Sequence, residues 1–485
     1  MFLFHHRRGA ALLVIPLLSF ALLLGYVGTD APGLARFKPT SVPRAPDFND
    51  RMQTQLLAPL PADPKEETKG YHNYKAYTEH KLREITACSA RGDCHPNADK
   101  VSGIVIFSSV WCKMAFYAHY NGGEGVWCHG VVSAAAFTLC MCFHTLTSSA
   151  TFAPYIAHLH RQLGDMVKAI FADTEREEFG SINNFYGGSG FPAWKVFAFS
   201  YWAQGMPHPI GRPWTVLGEP SRDVASSELG EAWYSGLTAD YTYLGYDLEP
   251  YADDTEFIPL KERPMRVFIL AKRVQYFYPS WAPALFSHDV IRRALIELRQ
   301  EFPTLDFVGS FVDDRNEEEL AKFGDMELPE GVKNLGPLNA TQFDAALARS
   351  RMVIGIGWPT TSPSPYRALA RGTPFVNPHT LGDSGKDEEP DSWPMVQHDS
   401  MRTTPEPMVY SVRAQDYDGL LRAIRIALTT EMKPYRFERM EPDVVDKRIS
   451  DFVNADWRGY AKLILEERKA GNETQQGPGL GLFEL

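Results

Sequence analysis

The stretch that decides the fold is residues 351–378, RMVIGIGWPTTSPSPYRALARGTPFVNP. An apolar run with two glycines, MVIGIG, is followed by a loop rich in proline, serine and threonine, and then by the short helix-like segment YRALARG. A second apolar run, TPFVNP, closes the stretch. Two short apolar runs joined through a helix are typical of parallel strands, which need a crossover connection.

The same alternation of strand-like and helix-like segments extends on both sides of this stretch. Runs rich in β-branched and aromatic residues predict strands, and amphipathic segments between them predict helices. The predicted strands are 265–272, 305–312, 332–338, 351–357, 373–378 and 408–412, and the predicted helices are 282–302, 317–322, 340–350, 366–372 and 417–429. This order predicts a doubly wound α/β domain around a parallel sheet.

The first half of the chain contains a second set of strand-like segments. Residues 102–110, 166–173 and 194–202 are short apolar runs, which predict buried strands of a mostly parallel sheet. The apolar run 131–143 is too short to span a membrane, so we expect a buried helix. Two Rossmann-like domains facing a cleft are a common arrangement among nucleotide-sugar transferases, and we expect it here by analogy.

The N-terminus predicts a membrane anchor. Four basic or histidine residues, His5 to Arg8, precede an uncharged run at 9–29. About twenty helical residues span a hydrocarbon layer of roughly 30 Å, although a cleaved signal peptide is the alternative. The expected division is a cytoplasmic tail at 1–8, a signal anchor at 9–29, a proline-rich stem at 30–70, a first domain at 71–255, a second domain at 256–460 and a tail at 461–485.

Cysteines and charge constrain the compartment and the partners. All six cysteines precede residue 143, and in a luminal compartment we expect disulfides, with the pairing left open. The cysteines are Cys88, Cys94, Cys112, Cys128, Cys140 and Cys142. A zinc site is the alternative to disulfides, but the sequence contains no Cys-x-x-Cys pair to support it. The sequons at Asn339 and Asn472 agree with a luminal location. The net charge of -11 argues against a nucleic-acid partner.

The loop after MVIGIG has the features of an anion site. Ligands of open parallel sheets bind at the carboxyl ends of strands, where helix N-termini offer free N–H groups. We expect Gly355 and Gly357 to let a diphosphate approach the backbone, and Ser362 and Ser364 to add hydroxyl donors. An ordinary strand–loop–helix connection stiffened by prolines is the alternative.

Residues 332–378 carry a spaced set of glycines, prolines and small residues that matches a known family. The matching residues are Val332, Lys333, Asn334, Gly336, Leu338, Gly355, Gly357, Pro359, Pro363, Pro365, Ala368, Ala370, Gly372, Phe375, Asn377 and Pro378. This pattern resembles glycosyltransferase family 18, the family of the α-1,6-mannosylglycoprotein 6-β-N-acetylglucosaminyltransferases (N-acetylglucosaminyltransferase V). The likeness extends over roughly residues 102–457.

The resemblance implies a fold, a reaction and a location. It implies a GT-B type fold with an acceptor-side domain followed by a nucleotide-sugar domain. It implies transfer of N-acetylglucosamine from UDP-GlcNAc to the 6-hydroxyl of an α-linked mannose of N-glycans, with inversion and without a metal or another cofactor. The location implied is the Golgi membrane, as a single-pass type II protein whose catalytic part is luminal.

Two residues depart from the family pattern in the loop. The family carries an acid before its Gly-Pro and begins the helix with a Leu-Glu pair, whereas this chain has Thr361 and Arg367 there. Losing a charged hydrogen bond to a ribose costs roughly 1.5–3 kcal/mol, or about 10- to 150-fold in affinity. We expect Arg367 to offset part of this by pairing with a phosphate.

For the catalytic base, two carboxylates are candidates. Inversion needs one carboxylate to take the proton from the attacking hydroxyl. Glu124 lies in the glycine-rich segment YNGGEGVW, which resembles a family segment, and Asp173 ends a predicted strand. A surface turn acid and a helix cap, respectively, are the structural alternatives.

Four further residues are candidate donor contacts. Lys272 ends the first strand of the second domain and matches a family lysine, so we expect it to contact the diphosphate. Trp358 is expected to line the sugar or base pocket, with a core aromatic as the alternative. His398 and Arg402 lie in a stretch that resembles a family segment near the nucleotide.

Two rival functions stay open at this point. One is a transferase of the same fold with another donor, such as GDP-fucose, or another acceptor. The other is a luminal glycan-binding protein that keeps the fold without the chemistry. The departures at Thr361 and Arg367 make both rivals worth testing.

Overall fold

The computed structural model describes most of the second half of the chain and separate parts of the first half. The described residues are 104–109, 111–112, 114–115, 122–134, 167–173, 192–202, 208, 210–220, 241–248, 257–381, 389–471 and 482–485. The predicted anchor and stem, Asn472 and four of the six cysteines lie outside these residues. Within the described residues, no helix has the length and apolar character needed to cross a bilayer.

The first sheet is entirely parallel, as predicted. Its strands, in spatial order, are β1 (Ile104–Ser108), β2 (Val167–Asp173), β3 (Val196–Ser200), β4 (Thr215–Leu217) and β5 (Thr242–Tyr243). The first three strands confirm the predicted ones. We did not predict β4 and β5, because strands of three and two residues are too short to show a pattern of their own.

Helix α1 (Gly123–Ala134) packs within the core of the first sheet. Its residue Cys128 is disulfide-bonded to Cys112, sixteen positions earlier. The ring of Trp127, on the same helix, is stacked on Phe199 of β3 with centroids 3.8 Å apart. The helix includes the start of the apolar run 131–143, with Val131 buried, and residues 135–143 of that predicted helix lie outside the described residues.

The second sheet is also entirely parallel and confirms the predicted doubly wound domain. Its strands are β6 (Arg266–Leu270), β7 (Asp306–Gly309), β8 (Val332–Asn334), β9 (Met352–Gly355), β10 (Phe375–His379) and β11 (Val409–Arg413). Their spatial order is β11-β10-β9-β6-β7-β8. The order reverses between β6 and β9, which places the switch point of the sheet there.

Helices connect these strands close to the predicted positions. They are α2 (His288–Glu301), α3 (Glu317–Phe323), α4 (Ala340–Ala348), α5 (Ser364–Leu369) and α6 (Tyr417–Thr429). Helix α2 starts later than predicted, since residues 282–287 form a loop. Helix α5 starts two residues earlier than predicted, at Ser364, because Pro365 is compatible with the first turn of a helix.

The last two helices return to the first sheet. Helices α7 (Pro442–Asn454) and α8 (Trp457–Lys469) present Phe452 and Trp457, whose rings contact Phe197 of β3 with centroids 4.8 Å apart in each case. This packing differs from the expected division, in which residues up to 460 belong to the second domain. Closing over the first sheet buries the large aromatic groups of these helices.

Candidate functional site

The candidate site lies at the switch point of the second sheet. Leu270 of β6 is aligned with Gly355 of β9, so Lys272 and the loop 356–363 leave the sheet side by side at its carboxyl edge. Ligands of open α/β sheets bind at such an edge. The structure therefore brings together two of the segments in which we predicted donor contacts.

The two glycines of the loop are required by protein packing. A Cβ atom on Gly355 would lie 2.2 Å from the side-chain oxygen of Gln397. A Cβ atom on Gly357, whose φ is +111°, would lie 2.5 Å from the carbonyl oxygen of Pro283. The space we expected an anion to use is thus filled, on these sides, by Gln397 and by the 283–285 segment. A contact of the glycines' N–H groups with a donor stays a prediction.

Gln397 holds the loop at three points. Its side-chain oxygen accepts from the N–H of Gly357 at 2.7 Å, and its side-chain amide donates to the carbonyl of Pro359 at 3.1 Å. The N–H of Thr361 donates to the Gln397 carbonyl at 2.7 Å. The φ of Thr361 is +48°, in a region that β-branched residues rarely adopt, and this bond holds it there.

The two serines and His398 form a further set of bonds under the loop. The Oγ of Ser362 accepts from the N–H of Ser364 at 3.2 Å and lies 3.0 Å from the Ser364 Oγ. The Nε2 of His398 donates to the Ser362 carbonyl at 2.9 Å. His398 is fully buried, and burial lowers the pKa of its imidazole to about 3. His398 therefore supports the loop from inside, and a direct donor contact by this side chain is not compatible with its burial.

Arg367 does not face the loop, so the predicted phosphate contact is wrong for this position. Its side chain is buried and forms an ion pair with Asp344 of α4 at 2.7 Å. Arg371 holds the other oxygen of the same carboxylate at 3.1 Å. The Arg367 guanidinium also lies over the ring of Phe343, 5.2 Å from its centroid. A guanidinium fixed by these partners is not available to a ligand.

Arg402 is likewise committed to protein contacts, contrary to the predicted donor contact. It is buried, pairs with Asp399 and donates to the carbonyl of Trp393 at 3.2 Å. Trp358 is half-buried, and its ring centroid is 6.3 Å from that of Tyr276 in the segment after β6. Trp358 thus joins the two loops at the switch point, which agrees with a pocket wall.

Glu124, on helix α1 beside the first sheet, interacts electrostatically with Lys272, which follows β6 of the second sheet. Glu124 lies in the first turn of α1, where the helix dipole favours an anion. The side chain of Lys272 is exposed, yet the protein groups around it partly desolvate its ammonium and lower its pKa, while the charge of Glu124 acts in the opposite direction. An acid and a cation from different sheets thus interact across the carboxyl edge of β6. Asp173 is instead buried at the end of β2.

The sequence analysis missed a buried acid, Glu219, which follows β4. Its Oε1 accepts from the hydroxyls of Tyr246 at 2.6 Å and Tyr201 at 3.2 Å. Its Oε2 lies 2.8 Å from the Tyr366 hydroxyl and 3.1 Å from the Ser400 hydroxyl. Tyr366 and Ser400 belong to the second sheet's region, so Glu219 joins the two halves of the molecule. No local pattern marks it, because its partners are up to 181 positions away.

The comparison with protein families matches a part of the second half of the chain. Residues 315–456 match the family model described as Glycosyltransferase family 18, which confirms the family expected from residues 332–378. The segment from helix α3 to the end of helix α7 is therefore similar to this glycosyltransferase family. No curated protein sequence matches the chain.

Solved structures show only distant similarity. A putative UDP-N-acetylglucosamine 2-epimerase from Listeria monocytogenes is 12% identical over 80% of this chain and 100% of its own, with a TM-score of 0.35. Trehalose-6-phosphate synthase OtsA is 11% identical over 76% of this chain and 98% of its own, with a TM-score of 0.38. The UDP-GlcNAc 2-epimerase from Neisseria meningitidis bound to UDP-GlcNAc is 11% identical over 76% and 99%, with a TM-score of 0.32. Similarity at this level carries no conclusion about function.

Proposed function

We propose that this protein is an inverting glycosyltransferase that moves N-acetylglucosamine from UDP-GlcNAc to the 6-hydroxyl of an α-linked mannose of N-glycans. The family match over residues 315–456 supports the class of reaction. The observation that carries the proposal is this match, and the charge of Glu124, on helix α1, also acts on Lys272 at the carboxyl edge of the second sheet. A base and a cation placed on two domains are what an inverting transfer between two substrates needs.

Glu124 is the proposed general base. Its side chain is half-buried at the start of α1, so it combines access to substrate with a fixed helical position. It would take the proton of the mannose 6-hydroxyl while that oxygen attacks the anomeric carbon of the donor. Asp173 is the second candidate, and its burial leaves it less access to an acceptor.

Lys272 is the proposed partner of the departing diphosphate. As the bond between the sugar and UDP breaks, negative charge develops on the diphosphate, and a fixed cation beside it stabilises the transition state. Arg367 cannot serve here because Asp344 holds it. Lys272 and the loop 356–363 are adjacent at the switch point, where Ser364 and the loop N–H groups are further candidate donors.

We infer metal independence from the resemblance and from the acids near the edge. Asp313 and Asp314 are adjacent and lack the Asp-x-Asp spacing that holds a metal in other transferases. In the triplet Asp416-Tyr417-Asp418, which has that spacing, Asp416 caps helix α6 by accepting from the N–H of Gly419 at 2.9 Å. Asp313 pairs with Arg315 at 2.7 Å and Asp314 with Arg273 at 2.9 Å. Among the residues that the structure describes, no group of three or more metal-ligating side chains occurs. Chelation is the direct test.

The proposed location is the Golgi membrane, with residues 9–29 as the anchor and the sheets in the lumen. The apolar run, the disulfide between Cys112 and Cys128 and the exposed sequon at Asn339 support it. Protease protection of the sheets in sealed vesicles checks this orientation. Digestion without detergent would contradict it.

A transfer assay tests the function. The full-length chain is incubated with UDP-GlcNAc and an α-mannoside acceptor, with and without EDTA, and the product linkage is determined. We expect a β-1,6 product that survives EDTA, and a Glu124→Gln variant that loses about 10²- to 10⁴-fold in kcat. Asp173→Asn, with a melting temperature checked against the wild type, is the matched variant and should lose far less. Transfer from GDP-fucose alone, or no transfer from any donor, would favour the rival functions.

A further inference from the structure

Glu219 and its neighbours connect the first sheet to the proposed donor loop. The cluster consists of Glu219, Tyr201 and Tyr246 from the first half of the chain and Tyr366, Ser400, His398 and Arg439 from the second, and all seven are buried. The direction of each hydrogen bond in it follows from counting hydrogens, because each hydroxyl has one hydrogen to donate.

The count starts at His398. A carbonyl oxygen only accepts, so the 2.9 Å contact with Ser362 requires a hydrogen on the His398 Nε2. The buried imidazole is neutral, since its pKa is about 3, and its Nδ1 therefore has no hydrogen and accepts. The group within reach of Nδ1 is the Ser400 hydroxyl at 3.1 Å, which must donate to it.

The remaining hydrogens then point back to Glu219. With its own hydrogen given to His398, Ser400 can only accept in its 2.6 Å contact with Tyr366, so the Tyr366 hydroxyl donates there. Tyr366 then has no hydrogen left for Glu219, although the two oxygens are 2.8 Å apart. A hydrogen on Oε2 of Glu219 satisfies this contact, whereas an ionised carboxylate leaves it without one; the longer 3.1 Å contact between Oε2 and the Ser400 hydroxyl has no hydrogen in either state.

We propose that Glu219 is protonated in the folded protein and is a positioning residue. Its carboxyl hydrogen begins a hydrogen-bond chain that runs from Glu219 to Tyr366, Ser400, His398 and the carbonyl of Ser362, and so fixes the loop 356–363. The consequence for donor binding rests on the function proposed above, whereas the protonation of Glu219 does not.

The surroundings of Glu219 favour the neutral acid. Burial raises its pKa above the ordinary value of 4.5, whereas the hydroxyls of Tyr246, Tyr366 and Ser400 and the charge of Arg439 act in the opposite direction. The guanidinium of Arg439 donates to the Tyr366 hydroxyl at 3.0 Å and to the Ser400 carbonyl at 3.3 Å. The described groups that face the carboxyl are thus hydroxyls, with Arg439 beyond them.

The same cluster also supports the proposed base. A Cβ atom on Gly123 would lie 2.3 Å from the ring of Tyr201, so the start of α1 rests directly on this tyrosine. Glu124 is the next residue, and its charge contributes to raising the pKa of Tyr201, after burial and Glu219. Glu219 is therefore connected to the start of α1, which carries the proposed base, through Tyr201, and to the proposed donor loop through Tyr366.

An infrared measurement tests the protonation without any assay of activity. A protonated carboxyl has a C=O stretch distinct from that of a carboxylate. We expect the difference spectrum of the wild type minus Glu219→Gln, at neutral pH, to show one neutral acid. An amide also donates from its nitrogen and accepts at its oxygen, so Glu219→Gln should keep the wild-type melting temperature, unlike Glu219→Ala. A carboxylate band in the difference spectrum would overturn the protonation.

Matched tyrosine variants test the chain. Tyr366→Phe interrupts it, whereas Tyr246→Phe removes a hydroxyl from the same carboxyl group but lies outside it. We expect Tyr366→Phe to raise the KM for UDP-GlcNAc about tenfold, the equivalent of one hydrogen bond, and Tyr246→Phe to raise it about twofold or less. Equal effects of the two variants would overturn the positioning role.

The pH profile gives a third readout and separates the two proposals. As pH rises through the raised pKa of Glu219, the wild type loses the hydrogen that begins the chain, so its donor KM should rise. The Glu219→Gln profile should lack this rise, and identical profiles would overturn the inference. A chain that shows the neutral acid but transfers no sugar would overturn the proposed function alone. Transfer by a chain without the neutral acid would overturn the inference alone.

Discussion

Two buried carboxylates, Glu219 and Asp344, differ in what surrounds them. Asp344 is held by two guanidiniums, at 2.7 Å from Arg367 and 3.1 Å from Arg371. Glu219 is surrounded by hydroxyls, of which the closest is Tyr246 at 2.6 Å. Helix α5 supplies a partner to each, because Tyr366 reaches Glu219 and the next residue, Arg367, reaches Asp344.

The difference explains why this helix carries a tyrosine and an arginine at adjacent positions. A buried charge is stable when an opposite charge meets it, and the pair around Asp344 fixes α5 to α4 within the second domain. A buried carboxyl among hydroxyls favours its neutral form, which can donate as well as accept. Arg367 therefore has an internal structural role, and Tyr366 connects the domains. Four changes test or sharpen this comparison, in order of expected effect.

Replacing Asp344 should have the largest effect on the free energy of unfolding. Asp344→Asn removes the negative charge that two buried arginines share, and the loss of this counter-charge should lower the free energy of unfolding by about 3–5 kcal/mol. Urea denaturation of the full-length chain measures this. A loss below about 1 kcal/mol would show that the two guanidiniums find other partners, and would remove the contrast with Glu219.

Removing the disulfide should have the second-largest effect on stability, and this effect should be confined to the region of the first sheet. Replacing Cys112 and Cys128 together by serine opens a loop of sequence separation 16, which should cost about 3 kcal/mol. The loss of stability should make hydrogen exchange faster in α1 and leave the region around Asp344 unchanged. Hydrogen exchange resolved by peptide distinguishes the two regions, and equal loss of protection in both would contradict their independence.

The third effect is the acid dependence of stability through His398. Its pKa falls from 6.5 to about 3 on folding, so the unfolded chain binds the proton first as pH drops. The free energy of unfolding should therefore fall by about 1.4 kcal/mol per pH unit between these values, through this residue. Glu219 has the opposite sign, because its raised pKa favours the folded protein at lower pH.

The histidine prediction has a matched control. His398→Gln should reduce the slope of stability against pH by about one proton, measured by urea denaturation from pH 7 to pH 5. Burial also lowers the pKa of His208 to about 3. The variant His208→Gln should therefore give the same reduction in the slope of stability against pH without affecting the donor loop. An unchanged slope in His398→Gln would mean that this imidazole is not held neutral.

The smallest effect is expected at Asp306. This residue pairs with Lys333 at 2.7 Å and lies 3.8 Å from Arg299, but its side chain is 25% exposed. Asp306→Asn should lower the free energy of unfolding by less than about 1 kcal/mol, since solvent screens such pairs. A cost equal to that of Asp344→Asn would show that burial does not decide the difference.

The sequence predicted the second sheet well because its signals are local. The strands around residues 352–355 and 375–379 and the helix at 417–429 follow from apolar runs and from amphipathic spacing. The partner of Arg367 was also within reach, since Asp344 lies on the preceding helix. Glu219 was not, because its partners come from segments 18 to 181 positions away, and only the packed fold brings them together.

The most direct test of the account is a thermal-shift titration of the full-length chain with UDP-GlcNAc, with and without EDTA, beside a Lys272→Ala variant. A ligand at about 100 times its Kd stabilises a folded protein by about 2.7 kcal/mol. The account predicts a rise in melting temperature that survives EDTA and that requires a higher concentration of UDP-GlcNAc in Lys272→Ala. No rise in the wild type, or identical titrations of the two proteins, would contradict a nucleotide-sugar site at the switch point of the second sheet.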